Sequence, residues 1–319
     1  MADDQNATRA PESDAQEDKA PVAGDAPPAT AAAHAVGEHC VTDRPTPSGL
    51  ASTGEIIKLN DIDVYISKPT DYPHAPSRLL LLLTGGTGIS SVNNQIQADK
   101  FAAEGFLTLM PDLFGGDTAP GAGVAIPQET NSVIEQLKIK AAEVTKSFLI
   151  DMWLAKITPD KVMPILHKVI DAAKEQYADS IKAGDGIYAV GYCVGGRFVL
   201  LLGKEAAAAE NADEEAGAVK TGPFIKAGAI AHAASVTPND FTDVVVPLSL
   251  VCVEDDPLFS EEVRTAGEDY MSSANLEHEV QVYPGVPHGF AVVGEYQDPA
   301  IQDAQATAYE QLLGWLKTH

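Results

Sequence analysis

The chain has 319 residues, 45% of them hydrophobic, and a net charge of −25 in which few basic residues offset many acidic ones. That length and apolar content support a sizeable buried core, in one large α/β domain or two smaller ones. The acidic balance excludes nucleic acid and anionic membrane as natural partners. The three cysteines Cys40, Cys193 and Cys252 have no regular spacing, so they read as free thiols in a reducing compartment rather than as a disulfide framework. The N-terminus lacks the charged-then-apolar order of a signal peptide. No apolar run approaches the roughly 18 residues of a membrane-spanning helix, so a cytoplasmic location is expected.

Residues 1–36 are Ala, Pro, Asp, Glu and Gln with almost no large apolar side chain, a composition expected to remain a disordered tail. The folded part is expected over 37–319. "EIIKLNDIDVYISKP" (55–69) reads as a hairpin turning at Asn60 and Asp61, and the unbroken apolar run "RLLLLLT" (78–84) as a strand covered on both faces. "NNQIQADKFAAEG" (93–105) has helical spacing and ends at a glycine. "FLTLMPD" (106–112) is the next strand, and a mostly helical stretch follows over about 128–180, interrupted near Pro159. Strands at 186–190, 226–231, 244–253 and 277–284 then alternate with helices from about 195, at 260–273 and at 300–317. Between them, "AAAAENADEEAGAVK" (206–220) reads as a helix end and a solvated loop. This alternation predicts a mostly parallel central sheet flanked by helices, an α/β class fold.

The chemistry concentrates in "VGYCVGGRF" (190–198). Strand-like residues run into Gly191, then Cys193, then Gly195 and Gly196 at the start of a helical pattern, the outline of a nucleophile elbow with cysteine in place of serine. Glycines are needed around such a tight turn, and a helix N-terminus favours an anionic thiolate or oxyanion. The alternative is that Cys193 is a small buried hydrophobe. Two downstream stretches favour catalysis: "VCVEDDPLF" (251–259) places Asp255 and Asp256 after a strand, and "YPGVPHGF" (283–290) places His288 after the next. Nucleophile, acid and histidine then follow in the chain order of an α/β-hydrolase triad.

With "GYCVGG", "EDDPLF", "PHGF" and "MPDLFGGD" (110–117), the chain resembles the dienelactone hydrolase family of the α/β-hydrolase fold, and "GEHCVTDRPTPSG" with "NNQIQADKFA" is similar to its fungal branch. The resemblance implies Cys193 as nucleophile, His288 as general base and Asp256, with Asp255 as fallback, as the acid. It further implies hydrolysis of small esters or lactones through an acyl-thioester. Oxyanion donors are expected from the Val194 N–H and from the loop holding Gly85 and Gly86. Bacterial members carry a glutamate near Gly85 that takes part in activating the cysteine, and an arginine where this chain has Val292, so a less charged substrate than dienelactone is as plausible.

His232 in "IAHAAS" is a candidate pocket residue, hydrogen-bonded packing being its alternative, and Tyr192 and Trp153 are candidates to shape the cleft. "TGGTGISS" lacks the full spacing of a dinucleotide loop, so no cofactor is expected. The remaining His and Cys residues lack zinc-ligand spacing, so no metal is expected either. The partner implied is a small-molecule substrate. Competing readings are a non-catalytic protein of the same fold that binds a small hydrophobic ligand, and a redox-responsive protein in which Cys193 pairs with Cys40 or Cys252.

Overall fold

The computed structural model describes residues 42–120, 149–205 and 223–319. The expected tail over 1–36, Cys40, the part of the helical stretch before residue 149 and the loop at 206–220 lie outside the described residues. The strands are β1 (Glu55–Leu59), β2 (Ile62–Ser67), β3 (Arg78–Leu83), β4 (Phe106–Pro111), β5 (Ile187–Tyr192), β6 (Ala227–Ala231), β7 (Leu248–Val253) and β8 (His278–Tyr283). The helices are α1 (Val92–Ala103), α2 (Pro159–Gln176), α3 (Ala178–Gly184), α4 (Val194–Leu202), α5 (Pro238–Phe241), α6 (Glu261–Ser273) and α7 (Pro299–Thr318).

β1 and β2 form the expected hairpin, with Leu59 opposite Ile62. Asn60 and Asp61 have φ of 44° and 69°, the left-handed pair that a two-residue hairpin demands and that Asn and Asp tolerate best. The sheet runs β1-β2-β4-β3-β5-β6-β7-β8. β2 is antiparallel to both neighbours, and β4 through β8 are mutually parallel.

Successive strand side chains point to opposite faces, and β3 shows what its unbroken leucine run is for. Leu79, Leu81 and Leu83 pack with Leu166 of α2 and Phe198 of α4. Leu80 and Leu82 pack with Phe101 of α1 and Leu316 of α7 on the other face. Each leucine removed from water contributes about 1.5–3 kcal/mol, so a strand apolar on both faces is stable only where helices cover both.

The start of β7 differs from the sequence pattern. The apolar run from Val244 supplies only an isolated bridge, Lys204 to Val244, before the ladder of β7 begins at Leu248. Pro247 separates them, lacking the N–H that a central strand must donate. The interruption near Pro159 is a helix start: Pro159 occupies the first turn of α2, where the missing N–H is no loss.

The chain passes from β3 outward to β4 and later returns to β5 on the other side of β3. Beyond the C-terminal ends of β3 and β5, therefore, loops diverge in opposite directions and leave the crevice where open α/β sheets bind ligands. Gly85 follows β3 there, and Cys193 follows β5.

Candidate active site

Cys193 sits at the junction of β5 and α4 with φ 53° and ψ −125°, a conformation rare for a residue with a Cβ and costing on the order of 1–3 kcal/mol. Surrounding hydrogen bonds hold it. The Cys193 N–H donates to the Ala231 carbonyl at 3.1 Å, and the Cys193 carbonyl accepts from Gly196 and Ala234, both at 3.0 Å. The flanking glycines are required by space: a Cβ on Gly195 would lie 2.2 Å from the Leu83 carbonyl oxygen, and one on Gly191 2.6 Å from that of Gly195. Removing those two Cβ atoms lets α4 pack directly on β3 and aims its N-terminus at the crevice. The Val194 N–H, in the first turn of α4, is among the four that a helix leaves without an intrahelical acceptor. Gly85 approaches from β3, where a Cβ would lie 3.0 Å from that of Cys193 and 3.6 Å from its sulfur.

Asp256 and His288 arrive on the loops after β7 and β8. Asp255, the fallback, turns through φ 54° and is exposed, whereas Asp256 is buried. Asp256 Oδ1 accepts from the Leu258 N–H at 2.9 Å, fixing the carboxylate so that Oδ2 lies 2.8 Å from His288 Nδ1. The histidine loop is tied from behind. Gln305 of α7 donates to the carbonyls of Phe290 and Val292 at 2.9 and 2.7 Å, and Gln97 of α1 accepts from the Val293 N–H at 3.0 Å.

His288 Nε2 is buried, reaches no oxygen or nitrogen among the described residues, and faces Cys193. Burial by itself would push the His288 pKa down. Hydrogen bonds and negative charge from Asp256 and Cys193 outweigh it, so the pKa is pushed up to about 10. The arrangement thus stabilises an imidazolium between a carboxylate and a sulfur.

Cys193 opens on a narrow cavity of about 30 Å³ lined also by Gly85, Tyr192, His232 and Gly289. His232 is 1% exposed, and its ring centroid is 4.9 Å from that of His288. Its pKa is held well below the ordinary value by burial first and by His288 second. Trp153 lies apart from this lining: its Nε1 donates to the Asp117 carbonyl at 2.7 Å and its ring packs on Phe114. Cys252 is buried in β7, where burial pushes its thiol up to about 12.

The opposite wall comes from a segment that motif reading left without a role in the site. Thr42, Asp43 and Arg44 line the cavity with Thr87, Asn93 and Asn94. Asn93 donates to the Arg44 carbonyl at 2.7 Å and accepts from Thr46 at 2.9 Å, and Ser91 donates to Asp43 at 2.8 Å. Arg44 also lies over the Tyr296 ring, 4.7 Å from its centroid. The available signal was "NNQ" at the start of α1, since two polar side chains buried in a first helical turn need partners nearby.

Residues 62–319 match the dienelactone hydrolase family. Among curated relatives, the hydrolase pyvD of Aspergillus violaceofuscus is 26% identical over 83% of this chain and 90% of its own length. Dienlactone hydrolase 1 of Gibberella moniliformis is 26% identical over 83% and 87%. Among solved structures, a dienelactone hydrolase-like promiscuous phosphotriesterase from metagenomic libraries superposes with a TM-score of 0.55 at 15% identity, covering 84% of this chain and 99% of that one. Esterase 2 of Thermogutta terrifontis gives 0.53 at 16%, covering 84% and 96%. Sequence match, strand order and the turn that carries Cys193 agree: the chain is a hydrolase belonging to the dienelactone hydrolase family.

Proposed function

We propose that Cys193, His288 and Asp256 form a catalytic triad that hydrolyses small carboxylic esters or lactones. The observation that carries this reading is the buried 2.8 Å contact of Asp256 with His288, with the other face of the imidazole turned to the thiol of an elbow cysteine. The elevated His288 pKa favours transfer of the Cys193 proton to His288, leaving a thiolate beside the N-terminus of α4. This supplies an activation route in a site where the position near the sulfur is Gly85 and no carboxylate.

The thiolate forms a C–S bond to the substrate carbonyl carbon. The carbonyl oxygen becomes an oxyanion opposite the Val194 N–H and the backbone of Gly85 and Gly86. The oxyanion collapses, the C–O bond to the alcohol breaks, and His288 gives that alcohol its proton, leaving an acyl-thioester. Neutral His288 then takes a proton from water as the water attacks the thioester. The C–S bond breaks, and the acid and the thiolate–imidazolium pair are released. Asp256 holds Nδ1–H throughout, so that Nε2 exchanges the protons.

The test is hydrolysis of a panel of aryl esters and lactones by wild type and Cys193→Ala, with intact mass recorded soon after mixing. Turnover with a transient acyl adduct, both absent from a folded Cys193→Ala protein, is the expected result. Turnover that survives the substitution defeats the assignment. Absence of both turnover and adduct in the wild type favours the ligand-binding reading. The location consistent with a working thiolate is the reducing cytoplasm.

A further inference from the structure

His232 has no part in the proton transfers above, yet it is the imidazole presented to the cavity beside Cys193. It follows β6 with φ 36°, left-handed backbone that is strained for a residue with a Cβ. Its backbone N–H donates to the Val251 carbonyl at 2.7 Å, which fixes the main chain that carries the ring. The ring meets His288 at 4.9 Å, Tyr192 at 5.9 Å and Phe290 at 6.2 Å between centroids. Among the described residues, neither ring nitrogen bonds to another residue. Two desolvated nitrogens without partners are unfavourable, and an apolar side chain of the same shape would avoid that cost.

A group bound in the cavity would match these nitrogens, and the ring's charge state selects it. Burial and the facing imidazolium keep His232 neutral, with one N–H donor and one acceptor nitrogen. Whichever nitrogen faces the cavity, a hydroxyl matches it in either tautomer, whereas a carboxylate matches only the donor and an ammonium only the acceptor. The 30 Å³ of the cavity admits a group of that size, since a water-sized centre needs roughly 10–15 Å³. We propose that His232 is a specificity-determining residue that hydrogen-bonds a hydroxyl on the acyl part of the substrate, next to the carbonyl that Cys193 attacks. The inference rests on the reading of Cys193 as nucleophile.

The test uses phenyl 2-hydroxybutanoate and phenyl butanoate with wild type, His232→Leu and His232→Gln. The readout is the ratio of kcat/KM for the two esters, in which any general loss of activity cancels. Wild type is expected to favour the hydroxy ester by on the order of 10- to 100-fold, the range of one well-placed hydrogen bond in a buried site. His232→Leu should bring the ratio close to one, and His232→Gln, which keeps a donor and an acceptor, should restore part of it. No preference in wild type, or an unchanged ratio in both variants, overturns the proposal. Accumulation of acyl-enzyme on both esters in His232→Leu also overturns it, assigning the ring to the hydrolytic water instead. If wild type is not acylated at Cys193 by either ester, the catalytic reading itself fails. Acylation with equal rates defeats only the role of His232.

Discussion

Replacing Gly195 with alanine tests whether the approach of α4 to β3 positions Cys193, the proposed nucleophile. The new Cβ would stand 2.2 Å from the Leu83 carbonyl oxygen and 2.8 Å from that of Thr84. Both obstacles are backbone of β3 and the residue after it, so the strand and the helix must separate until the contact exceeds 3.0 Å. Overpacking of this kind costs about 1–3 kcal/mol. The moving part also carries Cys193 and the Val194 N–H, and a displacement near 1 Å at reacting groups lowers rates by roughly 100-fold. Urea denaturation and kcat/KM on an aryl ester should therefore fall together. Gly314→Ala is the control: it lies exposed on α7 with nothing within 4 Å of its would-be Cβ, so it should stabilise by about 0.5–1 kcal/mol and leave kcat/KM unchanged. A Gly195→Ala protein with the wild-type unfolding midpoint and wild-type activity would refute the reasoning.

Asp256→Asn keeps the shape of the acid but removes the charge that holds His288, and kcat/KM on an aryl ester should fall by on the order of 10³- to 10⁴-fold; a loss below tenfold would remove Asp256 from the triad. The same pair sets a pH dependence. The His288 pKa is raised from 6.5 to about 10 on folding, so its contribution to stability is complete below pH 6.5 and is lost as pH rises through about 10. Urea midpoints of wild type should decline across that window and those of Asp256→Asn should decline less. In β2, the Tyr65 hydroxyl donates to Asp99 at 2.8 Å and accepts from the Gly54 N–H at 2.7 Å. Tyr65→Phe should lower stability by about 1–2 kcal/mol, read from denaturation midpoints, with kcat/KM unaltered.

Patterns short enough to be satisfied locally were legible in the sequence. The β1–β2 hairpin follows from Asn60 and Asp61, because the left-handed backbone of its turn is a property of those two residues. The sheet follows from the leucines of β3, since a run apolar on both faces has to be covered on both. Gly191, Gly195 and Gly196 around Cys193 announce an elbow because no other residue lets a helix follow a strand so closely. Beginning β7 at Val244 failed where hydropathy ignored the N–H that Pro247 lacks.

Long-range juxtaposition was a different matter. Asp255 and Asp256 have the same side chain, and although the family resemblance favoured Asp256, it is the left-handed turn at Asp255 that puts the Asp256 carboxylate against His288. Arg44 and Asn93 meet in the cavity wall across 49 positions of sequence, a contact written in neither segment alone. His232 is one histidine among eight, and its neutrality and unmatched nitrogens exist only where β6 delivers it against His288. The sequence by itself determined the elements and the types of reacting group, because propensity, periodicity and turn sterics act within a few residues. The tertiary structure decided which groups meet, which are desolvated and which way their pKa values shift, because burial and electrostatics depend on distances that only the packed sheet sets.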